Sequence, residues 1–196
     1  MVDSYENQYK AYLVLERAGT TTLYNHYKEV LKDHIDFNEV KDIAKQILTA
    51  VDFLHDNRIV HRDIKPDNVM LTVAPSLQVK LIDFNIAHDL AHEPDIRGAN
   101  GVREWSAPET RKFIPYDEKC DLYSVGCILY FMCTGSPPSL SDVSRRADIL
   151  QEHVGHAFGF GDAKRIESFV NLTIELLQVE PTLRPSASQA LQHALF

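Results

Sequence analysis

The densest group of reactive side chains is the run His61-Arg62-Asp63-Ile64-Lys65-Pro66-Asp67-Asn68. A lysine stands two positions after Asp63 and an asparagine five positions after it. One short segment therefore carries a carboxylate, an ammonium and an amide, the residue types of proton transfer and charge stabilisation. A bare H-R-D tripeptide recurs by chance. Here a second carboxylate follows fifteen residues after Asn68, in Asp83-Phe84-Asn85 at the end of an apolar run. Further on come Ala107-Pro108-Glu109, then Asp121-x-Tyr123-Ser124-x-Gly126, then Arg184-Pro185-Ser186.

These residues need elements to hold them. The apolar run Ala11 to Leu15 reads as a buried strand leading into the polar stretch Glu16-Arg17-Ala18-Gly19-Thr20. Residues 36–57 are the clearest helix. Asp36 and Glu39 have capping-box spacing, and Val40, Ile43, Ala44, Ile47, Leu48, Val51 and Leu54 recur at three- and four-residue intervals. Val69-Met70-Leu71 and Val79 to Ile82 suggest a small β-hairpin. Residues 84–108 have no period and read as one long loop, a kind usually kept for function. Residues 119–133 are apolar on nearly every face and predict a buried helix stopped by Pro137-Pro138. Residues 139–162 are ambiguous, 164–178 form an amphipathic helix, and a last helix over 186–195 is capped by Ser186.

Taken in this order, the motifs resemble the C-terminal lobe of a eukaryotic-type protein kinase, from about Ala11 to Phe196. The resemblance implies a mainly α fold with a few short β-strands, the kinase-like C-lobe (α+β), and ATP with Mg²⁺ as cofactors. It implies that Asp63 is the base orienting a substrate hydroxyl and that Lys65 neutralises the transferring phosphate. Asn68 and Asp83 would hold Mg²⁺, in keeping with that ion's preference for a few protein oxygens plus phosphate and water. Adenine would meet the backbone of Glu16 and Ala18, with Leu15 as gatekeeper and Met70 as the apolar floor. Glu109 and Arg184 would pair to fasten the long loop, and Asp121 would brace the backbone at His61 and Arg62. The K-P-x-N form after H-R-D resembles serine/threonine kinases more than tyrosine kinases.

The sequence departs from the family in several places. Ten residues precede Ala11, with one lysine, Lys10, and no glycine, and no G-x-G-x-x-G occurs. Residues 1–10 are thus expected to be a leader and 11–196 a partial kinase domain. The glycine-rich loop, the strand lysine and its helix glutamate, about a third of the domain, are not expected here. Asn85 stands at the third position of D-F-G, where its tolerance of left-handed backbone would keep the turn. Val102 stands where serine/threonine kinases carry a threonine that contacts the catalytic Asp and Lys. Phe84 through Trp105 contains no Ser, Thr or Tyr, so this stretch offers no hydroxyl for activating phosphorylation. Glu93 or Asp95 could instead give Arg62 a permanent carboxylate.

Two functions compete. One is a serine/threonine protein kinase domain acting on a protein substrate. The other is a catalytically inactive C-lobe acting as scaffold, inhibitor or decoy. In either case a partner supplying or covering the face of the first lobe is expected, with an apolar cleft around Leu15, Met70 and Phe84. The net charge of −8 argues against nucleic acid or an anionic membrane as partner. Cys120, Cys127 and Cys133 lack metal spacing and read as reduced core residues. No membrane span or signal peptide is evident. The expected compartment is the cytoplasm, the nucleus being left open. His88 with His92, His153 with His156, and Arg145-Arg146 all read as solvated surface.

Overall fold

The computed structural model describes residues 3–30, 36–72, 76–112, 114–139, 145–158 and 163–196. The chain begins with an antiparallel hairpin of β1 (Asp3–Glu6) and β2 (Ala11–Val14). Asn7 turns it, its side-chain oxygen accepting from the N–H groups of Tyr9 and Lys10 at 2.9 Å each. The expected leader is therefore half of a hairpin. The strand at Ala11 is present, but it is not buried: Tyr12 is 49% exposed and Leu13 65%. Its partner is β1 alone, and no described element covers its apolar side chains.

β3 (Thr21–Thr22) leads directly into α1 (Leu23–Val30), where Thr22 Oγ1 accepts from the N–H of Asn25 at 3.2 Å. α2 (Phe37–Asp56) buries the seven apolar residues its periodicity marks. Asp36 caps it by accepting from Asn38 N at 2.9 Å. The reciprocal half of the capping box does not form, because the Glu39 carboxylate turns to His26 Nε2 on α1, 2.8 Å away.

The middle of the chain holds β4 (Ile59–Val60), β5 (Val69–Thr72), β6 (Gln78–Leu81) and β7 (His88–Asp89). β5 pairs with β6 as the expected hairpin, and β3 adds to its other edge. β4 pairs with β7, so the long loop starts with a strand. That pairing buries His88, whose Nε2 lies 2.7 Å from Glu93 O, against the solvated place expected for it. His92 and His153 are exposed.

α3 (Lys119–Thr134) runs through the centre, with Cys120 to Cys133 all buried. It stops before the two prolines, at Gly135, whose φ of 75° lets its N–H reach Phe131 O at 2.8 Å. Burial raises the thiols of Cys120 and Cys133 and pushes Cys127 up to about 12. α4 (Arg146–Phe158), α5 (Ala163–Leu176) and the short α6 (Ala187–Leu191) complete the helical layer. Ser186 and Gln189 close a full capping box on α6, which is shorter than expected. The ambiguous stretch thus contains a helix, although 140–144 and 159–162 lie outside the described residues.

Arg146 is not solvated as expected but 2% exposed. Its guanidinium donates to Ser139 O, to Leu177 O at the C-terminal end of α5, and to the Tyr123 hydroxyl. Carbonyls at a helix C-terminus carry partial negative charge, which is why a cation can be buried there. No described helix is long and apolar enough to cross a membrane.

Candidate active site

β4 delivers the chain into His61-Arg62-Asp63 through a strained residue: Arg62 has a φ of 66°, in the left-handed region. A side chain other than glycine is kept there only by strong surroundings. Asp121, fully buried on α3, supplies them. Its two carboxylate oxygens accept from His61 N at 2.8 Å and Arg62 N at 2.9 Å, and His55 Nε2 lies 3.1 Å away. The His61 ring is also fully buried. It donates from Nε2 to Ile82 O at 3.0 Å and packs on the Phe84 ring at 4.7 Å. With that proton placed, Nδ1 is left to accept from Asp63 N at 3.3 Å.

After Asp63 the backbone is extended at Lys65, and Pro66 opens a single 3-10 turn, Pro66–Asn68. The turn brings three side chains together. Asp63 Oδ2 receives Lys65 Nζ at 2.6 Å and Asn68 Nδ2 at 2.9 Å. Asn68 Nδ2 also donates to Asp63 O at 2.9 Å. One oxygen of Asp63 is thereby fully engaged. The other, Oδ1, lies 3.4 Å from where a Cβ on Gly101 would stand. Gly101 has φ +79°, and that Cβ would lie only 2.6 Å from Arg62 O, so only glycine lets the loop cross so close to Asp63.

Asp83 follows β6 and is tied to the same cluster, since Ile82 N donates to Asn68 O at 3.0 Å. The left-handed residue of this turn is Asp83 itself, φ 65°, and not Asn85 as expected. Asn85 N instead approaches Asp83 Oδ1 at 3.5 Å. Asp83 is exposed, and Asn68 Oδ1 has no protein partner among the described residues. Two hard oxygen donors on adjoining segments fit a Mg²⁺ ion that completes its shell with phosphate and water. Among the described residues no group of three or more His, Cys, Asp or Glu forms an all-protein cage.

The segment expected to meet adenine borders this cluster. Thr20 N and Oγ1 both donate to Leu71 O, at 2.8 and 3.2 Å, docking the segment against β5 next to half-buried Met70. Leu15 is 63% exposed. The backbone groups of Glu16 and Ala18 have no partner among the described residues. Glu16 pairs with Lys80 at 2.8 Å, which holds its carboxyl below the usual range. The apolar surface nearby lies somewhat apart from the expected cleft. Phe84 forms one wall of a cavity of about 590 Å³ with Phe53, Leu54, Val79 and Leu81, while Leu15 and Met70 do not line it.

The long loop is fastened at its far end by a buried pair. Arg184 Nη1 and Nη2 meet the two Glu109 oxygens at 2.6 and 2.8 Å, with both residues nearly inaccessible. At its near end, Arg62 Nε donates to Ile86 O at 2.5 Å and the guanidinium lies beside the Tyr116 hydroxyl. Neither acidic residue expected at Arg62 is its partner. Glu93 is turned to His88 at 3.9 Å and Asp95 to Arg97 at 3.5 Å, because the β4–β7 pairing directs that stretch away. Val102 is exposed and offers only its carbonyl, which accepts from Ser106 Oγ at 2.8 Å. Ser106, which belongs to no motif in the sequence, is the hydroxyl nearest this wall, 3.1 Å from the same Gly101 Cβ position.

This arrangement is that of a kinase-like C-terminal lobe. The chain matches the protein kinase domain family over residues 1–196 and belongs to it. It is 32% identical over 205 residues to the liver/testis isoform of the phosphorylase b kinase gamma catalytic chain of Bos taurus, covering 100% of this chain and 49% of that one. It is 30% identical over 196 residues to mouse (Mus musculus) death-associated protein kinase 2, covering 97% and 52%. Against Mus musculus sperm motility kinase 2B it is 30% identical over 189 residues, covering 96% and 38%. The chain thus spans about half the length, or less, of these curated relatives.

Proposed function

We propose that the chain carries the catalytic segment of a serine/threonine protein kinase and orients a protein hydroxyl toward the γ-phosphate of ATP. One observation carries this: Lys65 and Asn68 converge on one oxygen of Asp63 and leave the other, beside Gly101, without a hydrogen-bond partner among the described residues. Asp63 Oδ1 would accept the hydroxyl's hydrogen bond and align its oxygen. Lys65 remains within one hydrogen bond of that carboxylate to neutralise incoming negative charge. Asn68 and Asp83 would hold Mg²⁺, and Leu15, Glu16, Ala18 and Met70 would border the adenine. Bound Mg²⁺–ATP supplies the phosphoryl group and screens its charge. Positioned acid–base groups contribute about 10²–10⁴-fold to such reactions, and positioning of the reactants contributes more. The compartment we propose is the cytoplasm, where the three buried free thiols stay reduced.

A second reading, a lobe that acts by binding, is favoured by the uncovered apolar surface of Leu13, Leu15 and Phe84. In that reading, as in the first, a protein partner covers this face. Calorimetric titration of the purified chain with ATP, with and without Mg²⁺, tests the enzyme reading. Mg²⁺-dependent binding abolished by Asp83→Ala supports it. A folded chain without such binding leaves the second reading.

A further inference from the structure

The hairpin of β1 and β2 is a two-stranded ribbon with both outer edges unpaired among the described residues. Two strands alone are marginal in water, and further strands are what make such a ribbon stable. Its apolar side chains stand in solvent. Tyr5 and Tyr12 lie opposite each other on one face, and Leu13 lies on the other. The ribbon adjoins the apolar cavity of about 590 Å³ walled by Phe53 and Phe84. Lys80, a wall residue of that cavity, reaches Glu16, two residues beyond β2, at 2.8 Å. Hairpin edge and cavity therefore form one continuous surface.

The chemistry of the two edges selects the occupant. β1 carries Asp3 and Glu6, so two copies meeting there would gather four carboxylates. β2, Ala11-Tyr12-Leu13-Val14, carries no charge and holds β-branched and aromatic residues that suit strand pairing. It is also self-complementary. Antiparallel pairing of two β2 strands about a two-fold axis at Leu13 sets Tyr12 opposite Val14 and Lys10 opposite Glu16, with no like charges facing. The area fits as well. Tyr5, Tyr12, Phe53 and Phe84 are each about half exposed or more. At about 150–250 Å² per aromatic side chain they offer roughly 400 Å². That is half of the ~800 Å² per partner of a stable interface, before Leu13, Val14 and Leu15 are added.

We infer that this face joins two copies of the chain, β2 to β2, in a four-stranded sheet that covers both cavities. The inference rests on the reading that a protein covers this face, and it identifies that protein as the chain itself. An isologous contact uses the same patch twice, so hairpin and cavity are buried together on both copies. The outer edges of the joint sheet are the two β1 strands, whose Asp3 and Glu6 stop it from adding more.

The test is sedimentation velocity of the whole chain over a range of about 1 to 100 µM. Salt at about 0.15 M screens the charge of −8 on each copy. The chain should sediment as a dimer in the upper part of that range. Leu13→Lys and Leu13→Glu, each alone, should weaken the dimer at least about tenfold, through lost burial and like charges at the axis. An equimolar mixture of the two should dimerise about threefold more tightly than either alone, since Lys then faces Glu. That recovery also shows that both variants fold. A parent chain that stays monomeric at the top of the range overturns the inference. So does a dimer indifferent to both substitutions, or a mixture no tighter than its components. Amide hydrogen exchange at Ala11 and Leu13 of a monomeric parent then separates the causes. Unprotected amides leave the face to a different protein, whereas protected amides remove the reading of a covering partner as well.

Discussion

Breaking the buried pair between Glu109 and Arg184 should cost more than removing it altogether. Each guanidinium nitrogen of Arg184 has an acceptor: Nε donates to Gln178 O, Nη1 to Glu109 and Lys119 O, Nη2 to Glu109 and Val179 O. The guanidinium also lies 5.0 Å above the Tyr123 ring. Glu109→Leu leaves a cation without counter-charge in a site 2% exposed, a loss of about 3–5 kcal/mol. A domain of this size has a total stability of about 5–15 kcal/mol, so the single variant gives up about a fifth or more of it. Arg184→Met strands the carboxylate and also orphans three carbonyls, at about 1 kcal/mol each, and should cost still more. The double variant keeps only the carbonyl losses, about 3 kcal/mol, so the coupling energy should exceed about 2 kcal/mol. Urea unfolding followed by the fluorescence of Trp105, the one tryptophan and 7% exposed, measures it. The midpoint of Glu109→Leu should drop by about 1.5 M. A double variant as unstable as the sum of its parents would refute the argument.

Asp121→Asn presents one amide N–H₂ where two backbone donors, at His61 and Arg62, need acceptors. It should cost about 2–3 kcal/mol in urea unfolding and abolish Mg²⁺–ATP binding by releasing the strained turn. Gly101→Ala meets both a positive φ and the Arg62 carbonyl. It should lift the loop and speed tryptic cleavage at Arg97 and Arg103, with a thermal midpoint only a few degrees lower, at about 2–4 °C per kcal/mol for this size. The Cys127 thiol, raised to about 12 when folded and near 8.5 when unfolded, gives stability that is complete below about pH 8.5 and lost as pH rises toward 12. That amounts to about 2 kcal/mol by pH 10, which Cys127→Ser should largely remove from the pH profile of urea midpoints.

The helices that bury a broad face were legible because burial imposes period. α2 carries its apolar residues at three- and four-residue spacing, and α3, buried all round, is apolar on nearly every face. α1 was not, because among its described side chains only Leu23 and Tyr27 are buried, and Asn25, His26, Lys28 and Glu29 break the apolar pattern. Its cap, Thr22, was hidden in a run of threonines that reads equally as strand. The two-residue strands β4 and β7 are defined by each other across nearly thirty residues, and no local pattern encodes such a pairing. The exposure of β2 is illegible for the opposite reason: its composition suits a core, but its surroundings here leave it open. At the site, motif order marked Asp63, Lys65, Asn68 and Asp83. Ser106 belongs to no motif, because its place beside Asp63 comes from the fold of the loop around Gly101.

The burial of α3 on every face also sets a timetable for synthesis. His61 and its brace on Asp121 are 60 residues apart, and Glu109 and Arg184 are 75 apart. At about 5–20 residues per second, the second interval occupies roughly 4–15 s of translation. For part of that time, until Leu176 is reached, the growing chain displays an apolar helix whose cover, α5, is incomplete. Nascent chains halted before Ala163 should therefore bind trigger-type chaperones and be cut within α3, whereas chains extended past Arg184 should resist. On this view the cell's holding factors, rather than the fold alone, decide how much of this protein survives its own birth.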